Sequence, residues 1–203
     1  MGMSLDTQEI TPSRRLVHER KIDLKVYRRE DQFWDIEAEI LDCKGKDFQL
    51  AALYRKAGEP IHHMLLTVTI NQEMDVVDAF AKSLEVPYKG TCEVIGPDYA
   101  KLIGLNLLKG FREGVKSRLG GILGCTHISE LTKLLPTAAT QAFVGEVFYI
   151  QPNQTEKMQP DEQLPFQFNG CHALRTDGEV VKQYHPVWFG HPLEPGKFTI
   201  SKE

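Results

Sequence analysis

The heptapeptide WDIEAEI, residues 34–40, alternates apolar and polar side chains without interruption. A repeat of two places the apolar side chains on one face of an extended chain, which is typical of a β-strand with one buried face. Residues 21–26, KIDLKV, alternate in the same way, and the short polar stretch 29–32 separates the two runs. The two segments are therefore predicted to form an antiparallel hairpin whose apolar face needs a cover.

A third strand is predicted over 61–70, where apolar side chains again recur at every second position. The spacing then changes, because the apolar residues within 76–84 recur as they do on a helix, which Pro87 would end. Three further helical segments are predicted. They span 97–108, 111–119 and 128–149, the last one kinked or divided at Pro136.

The C-terminal quarter begins with a polar, proline-bearing stretch, 151–165, which is typical of a connector. Residues 166–175 and 179–185 flank Thr176-Asp177-Gly178, a turn signal that predicts a β-hairpin. The predicted fold is α+β: a three-stranded antiparallel sheet covered on one face by helices, with a small C-terminal β-hairpin appendage. Residues 1–150 would form a single α+β domain, and 151–203 a connector and hairpin packed on that same domain.

Composition excludes several classes of protein. The 203 residues carry a net charge of -4, and no window approaches the roughly 20 apolar residues that span a bilayer. Without a secretory signal the expected location is cytoplasmic, where the four cysteines would remain thiols rather than form a disulfide framework. Without an apolar window of that length, no membrane is expected as a partner. Basic residues are frequent over 14–29 but interleave with acidic ones, so a nucleic acid is not expected either.

Five residues at the ends of predicted elements could bind a metal: His62, His63, Cys92, Cys125 and His127. Two thiolates with one or two imidazoles make a tetrahedral donor set, suited to zinc or to an iron-sulfur cluster. The long spacings mean that the fold must assemble this site. Each residue taken singly could instead be core filler or a hydrogen-bonded surface group.

Two further interpretations stay open. A metal with a free coordination position would activate water or polarise a carbonyl of a small substrate, and Glu130, one helical turn from His127, would carry the proton. If the cysteines and histidines are packing residues, the chain would be a non-catalytic module that binds a small molecule. Cys171, His172 and His185 form a weaker second group that could complete the site, and a homodimer remains an open alternative.

Two sequence strings identify a resemblance. RREDQFWDIEA at 28–38, and GCTH at 124–127 followed by LLPTAATQA at 134–142, resemble a bacterial family of domains of unknown function. The likeness extends from about Arg14 to His185. It implies membership of a class and no particular activity.

A more distant resemblance is to the U-type iron-sulfur cluster scaffold proteins, over about 61–142. The order of elements is similar, with His62 and His63 where that family has its first cysteine ligand, and with Cys92 and Cys125 at the second and third ligand positions. This resemblance implies metal or cluster handling. The leading hypothesis is therefore a metal-binding protein with a mixed Cys/His site for Zn or an Fe/S cluster.

Overall fold

A computed structural model describes residues 13–147, 164–165 and 167–194. Its centre is a four-stranded antiparallel sheet packed against helices, so the α+β class is confirmed and the sheet has one strand more than predicted. The sheet has the order β1, β2, β5, β6, with β1 His18–Arg28, β2 Trp34–Lys44, β5 Pro60–Ile70 and β6 Val76–Glu85, while β3 Phe48–Gln49 and β4 Tyr54–Arg55 pair as a separate small sheet.

The predicted hairpin is confirmed as β1 and β2. Its turn is closed by a hydrogen bond of 2.9 Å from the Arg29 amide to the Phe33 carbonyl, and Gln32 adopts a φ of 68°. Opposite residues of the two strands then pair in register, Val26 with Ile36 and Ile22 with Ile40. The alternation puts one face of β2 and β5 into the core: Trp34, Ile36, Ala38, Ile40, Met64, Leu66, Val68 and Ile70 are all buried.

The helix predicted over 76–84 is wrong, because this segment is the edge strand β6. A tight turn precedes it, in which the Asn71 side-chain oxygen accepts the Asp75 amide at 2.8 Å. The turn returns the chain antiparallel to β5, and the backbone of β6 then pairs along that strand. Phe80 and Leu84, which suggested a helical stripe, are exposed on the sheet.

The helices follow β6 in chain order. The helix predicted over 97–108 is instead a 3₁₀ helix, Glu93–Leu102, which approaches β6 so closely that a Cβ at Gly96 would lie 2.5 Å from the Ala81 carbonyl oxygen. Helix α1, Phe111–Leu119, is confirmed. The predicted division near Pro136 is confirmed as well, between α2 Thr126–Thr132 and α3 Leu135–Phe143. Beyond 147 the predicted helix lies outside the described residues.

The chain divides into two compact units, one up to Ala139 and one from Thr140. The described part of the second unit is built around Leu164, Phe168 and Val181. The predicted C-terminal hairpin is wrong, because residues 179–184 form helix α4, Glu179–Tyr184, and the described residues 167–194 form no strand. Asp177 is held by the Arg175 guanidinium. The Gly178 amide closes a turn on the Arg175 carbonyl at 2.9 Å, and Gly178 is then the N-cap of helix α4 and not the end of a hairpin turn.

The predicted domain boundary near residue 150 and most of the predicted connector, 151–165, lie outside the described residues. The assignment of one domain to 1–150 therefore stays a prediction. Among the helices that the structure describes, none has the length and apolar character that a membrane crossing requires.

Candidate metal site

The site is built around an acidic residue at a core position of the sheet. Asp42 continues the buried face of β2 two residues beyond Ile40, and only 1% of it is exposed. A carboxylate in such a position costs free energy unless other groups satisfy its oxygens. Four basic side chains surround the Asp42 carboxylate. Two come from β1, one from β5 and one from α2.

The first of these groups comes from β1. Arg20 is the direct cross-strand neighbour of Asp42 and donates from Nε to Oδ1 at 2.7 Å and from Nη2 to Oδ2 at 2.8 Å. His18, two residues earlier on the same strand, places its Nε2 3.3 Å from Oδ1. The two hydrogen bonds from Arg20 to Asp42 are the strong, bidentate form of an arginine–carboxylate pair. Burial opposes ionisation of Asp42, yet these bonds hold the pKa of its carboxyl below the usual range.

Two imidazoles approach the other carboxylate oxygen. His62 is the neighbour of Asp42 on the opposite side, across the β2–β5 pairing, and His127 lies in the first turn of α2. His62 Nδ1 and His127 Nε2 each lie 3.5 Å from Asp42 Oδ2. The two rings stack with their centroids 3.7 Å apart and their planes inclined by 26°.

The protonation states of this group suit metal binding. Burial lowers the pKa of His62 to about 4, helped by the neighbouring charge of His127. Burial likewise lowers the pKa of His127, although Asp42 acts in the opposite direction. At neutral pH the site therefore holds two uncharged imidazoles and one carboxylate, and these are the forms that bind metal ions.

Among the residues that the structure describes, one group of two histidines and one carboxylate could hold a metal ion. One ligand atom from each of Asp42, His62 and His127 lies within 4.8 Å of the other two. Two of the five predicted ligands, His62 and His127, thus belong to it. Asp42 was not predicted, although its place in the alternation of β2 marks it as a polar residue at a core position.

The other three predicted ligands lie elsewhere. His63 points to the opposite face of the sheet and contacts the Glu39 carboxylate. Cys92 lies in the loop after β6, at the start of the 3₁₀ helix, and is not a member of the group. Cys125 is nearer, with its Sγ 3.9 Å from His127 Nδ1, but it is not a member of the group. The described residues form no cysteine cluster, and this corrects the expectation of a mixed Cys/His site.

Tyr99 fixes the start of α2. Its buried hydroxyl donates to the Cys125 carbonyl at 2.9 Å, accepts the Cys125 amide at 3.1 Å and lies 2.8 Å from Ser129 Oγ. These bonds hold the residues on both sides of His127. Sequence reasoning did not single out Tyr99, because a buried tyrosine in a helical layer is an ordinary core residue.

The predicted proton carrier, Glu130, also lies on α2. Its carboxylate pairs with Lys133 Nζ at 2.6 Å. The pKa of Arg20 is raised chiefly by the hydrogen bond to Asp42, and the charge of Glu130 adds a smaller contribution. In the second unit, the hairpin that would have paired His172 with its neighbours does not form. There His185 packs edge-on against Phe168 at 5.3 Å between ring centroids, and Cys171 is exposed.

Comparison with known proteins identifies a family. Residues 18–141 match the family described as a protein of unknown function, DUF2889, and the match covers more than half of the chain, which therefore belongs to that family. This result confirms the resemblance to a family of domains of unknown function. No curated protein and no solved structure matches the chain, and nothing supports the resemblance to U-type scaffold proteins.

Proposed function

We propose that this DUF2889 protein binds a divalent transition metal through Asp42, His62 and His127, and that the preferred ion is zinc. The observation that carries the proposal is the convergence of one carboxylate and two imidazoles, with ligand atoms within 4.8 Å of one another. They come from β2, β5 and α2, three elements that the fold brings together. Two histidines and one carboxylate form a set of protein ligands found in zinc and non-heme iron sites.

The geometry favours a metal over a purely structural ion-pair cluster. Both imidazole nitrogens approach the same oxygen of Asp42, but at 3.5 Å they are longer than the roughly 2.7–3.2 Å of good hydrogen bonds. A cation between the three groups would use both nitrogen lone pairs and the remaining capacity of the carboxylate. Arg20 does not prevent this, since a carboxylate offers about four lone-pair sites and the fork uses two.

The donor set also bears on the kind of metal. Iron-sulfur clusters are held mainly by cysteine thiolates, and the convergent group contains none. We therefore infer handling of a single metal ion and do not propose cluster scaffolding. Cys125 Sγ lies 3.9 Å from Nδ1 of His127, the ring nitrogen that does not face Asp42. Cys125 would therefore help to orient the ring and would not be a ligand.

A second candidate function is a metal-dependent enzyme acting on a small molecule. Three protein ligands leave one tetrahedral position for water, which the metal would activate. Glu130 would carry the proton, and this role rests on its place on α2 one turn beyond His127. The third interpretation, a non-catalytic module for a small ligand, requires the folded protein to contain no metal.

The test is metal analysis of the full chain purified without chelator, followed by calorimetric titration of zinc into the chelator-treated protein. We expect about one zinc per chain, lost in His62→Gln and in His127→Gln. His63→Gln is the matched control, because His63 is the adjacent residue on the opposite face and should leave zinc uptake unchanged. Wild-type stoichiometry and affinity in both His62→Gln and His127→Gln would overturn the proposal.

A further inference from the structure

A cavity of about 660 Å³ lies between α1 and α2 in the first unit. Its size falls within the range of roughly 300–1,000 Å³ that small-molecule sites occupy. None of the three proposed metal ligands lines it. The lining residues are Arg112, Val115, Lys116, Leu119, Gly120, Gly121, Cys125, Thr126, Ser129, Glu130, Thr132 and Lys133.

The lining carries a positive excess. Three of its side chains are cationic and one is a carboxylate, and that carboxylate, Glu130, is already paired with Lys133 at 2.6 Å. Arg112 and Lys116 lie one helical turn apart on α1, and within the described part of the chain neither has an acidic partner. Two cations that face a cavity without a counterion are complementary to an anion.

The rest of the lining is mainly apolar or small. Val115 and Leu119 lie on the same helix as the two cations, and the turn Gly120-Gly121 follows them. This turn has to carry glycine, because a Cβ at Gly120 would lie 2.3 Å from the Lys116 carbonyl oxygen. The cavity thus has a cationic side, formed by Arg112 and Lys116, next to apolar side chains that an alkyl chain can contact.

We propose that this cavity binds a small carboxylate with an apolar tail, the carboxylate being held by Arg112 and Lys116. The tail lies along the half-buried Val115 and ends against the buried Leu119, and the hydroxyls of Thr126 and Ser129 on α2 offer further polar contacts. This inference goes beyond the proposed metal site and does not require it. It assigns small carboxylates as ligands to a cavity whose lining contains none of Asp42, His62 and His127.

The probe is sodium octanoate, titrated into the uniformly ¹⁵N-labelled full chain below its critical micelle concentration and followed by amide chemical shifts. We expect saturable shifts at the amides of Val115, Leu119, Gly120, Gly121 and Cys125. Octan-1-ol and inorganic phosphate are titrated in parallel. The alcohol has the tail without the charge and phosphate has the charge without the tail, so each should bind more weakly than octanoate.

The deciding variant is Arg112→Gln/Lys116→Gln, which should weaken octanoate binding about tenfold and leave octanol binding unchanged. Lys89→Gln/Lys109→Gln removes the same charge outside the cavity and should bind octanoate like the wild type. Equal octanoate affinity in the two double variants, or saturable shifts at a different surface, would overturn the proposal. Zinc uptake measured on the same samples separates this result from the fate of the metal site.

Discussion

Arg20 and Asp42 face each other across the β1–β2 hairpin and are joined by two hydrogen bonds of 2.7 and 2.8 Å. The carboxylate is buried, whereas the guanidinium remains partly open to solvent. Arg20 therefore brings charge compensation from the surface to a core position. The pair fixes the carboxylate in the orientation in which its Oδ2 faces His62 and His127.

Arg20→Gln should destabilise the fold by about 2 kcal/mol, since hydrogen bonds to a charged group are lost and a buried carboxylate keeps fewer partners. Urea unfolding at pH 7 measures the change. Lys21→Gln is the control, because Lys21 is the next residue, on the opposite face of β1, and pairs with Glu19. In a double-mutant cycle, Asp42→Asn should remove most of the effect of Arg20→Gln, and additive losses would contradict the coupling.

Zinc should stabilise the folded chain if it binds to Asp42, His62 and His127 in the folded chain and does not bind to the unfolded chain. At a free concentration of about 100 times the dissociation constant, the gain is about 2.7 kcal/mol. We expect this gain in urea unfolding of the wild type, its reversal by a chelator and its absence in His127→Gln. A gain of equal size in His127→Gln would place the bound zinc elsewhere.

The strands that could be predicted are those whose two faces differ. β1, β2 and β5 alternate, and the repeat of two identified all three, although β1 and β2 extend beyond the alternating runs 21–26 and 34–40. β6 could not be recognised in this way, because its apolar residues follow no single face: Val76 and Ala79 are buried, whereas Phe80 and Leu84 are exposed. The prediction of a C-terminal hairpin was wrong for another reason. The pair Asp-Gly also occurs where a loop leads into a helix, and here Gly178 is the N-cap of α4.

The candidate site could be predicted only in part. His62 and His127 stood out as polar residues at element ends, and Asp42 could have been found as the polar continuation of the stripe 34–40. Periodicity does not predict that α2 packs on β2 and β5. This packing places His127 beside Asp42, which lies 85 positions earlier in the chain. Cys92 was equally suitable in sequence, but the fold does not bring it into the group of Asp42, His62 and His127.

Acid should destabilise the metal-free protein through His62. Its pKa is about 4 in the folded chain and near 6.5 when unfolded, so between these values the unfolded chain binds a proton that the folded chain does not. Stability is then retained above pH 6.5 and falls as the pH drops towards 4, by roughly 3 kcal/mol at most from this residue. Urea unfolding in chelator across pH 4.5–7 should show a shallower fall for His62→Gln than for His63→Gln, and parallel curves would contradict it.

Tyr99 should control zinc affinity without touching the metal. Tyr99→Phe removes the hydroxyl that bonds the backbone of Cys125 and Ser129 Oγ, and we expect a loss of about 1–2 kcal/mol in the free energy of unfolding. Because the start of α2 is then held less firmly, calorimetry should also show weaker zinc binding. Tyr54→Phe is the control, since it removes an exposed hydroxyl that bonds Asp47. Unchanged zinc affinity in a destabilised Tyr99→Phe would restrict Tyr99 to a packing role, because positioning of His127 must alter the metal site.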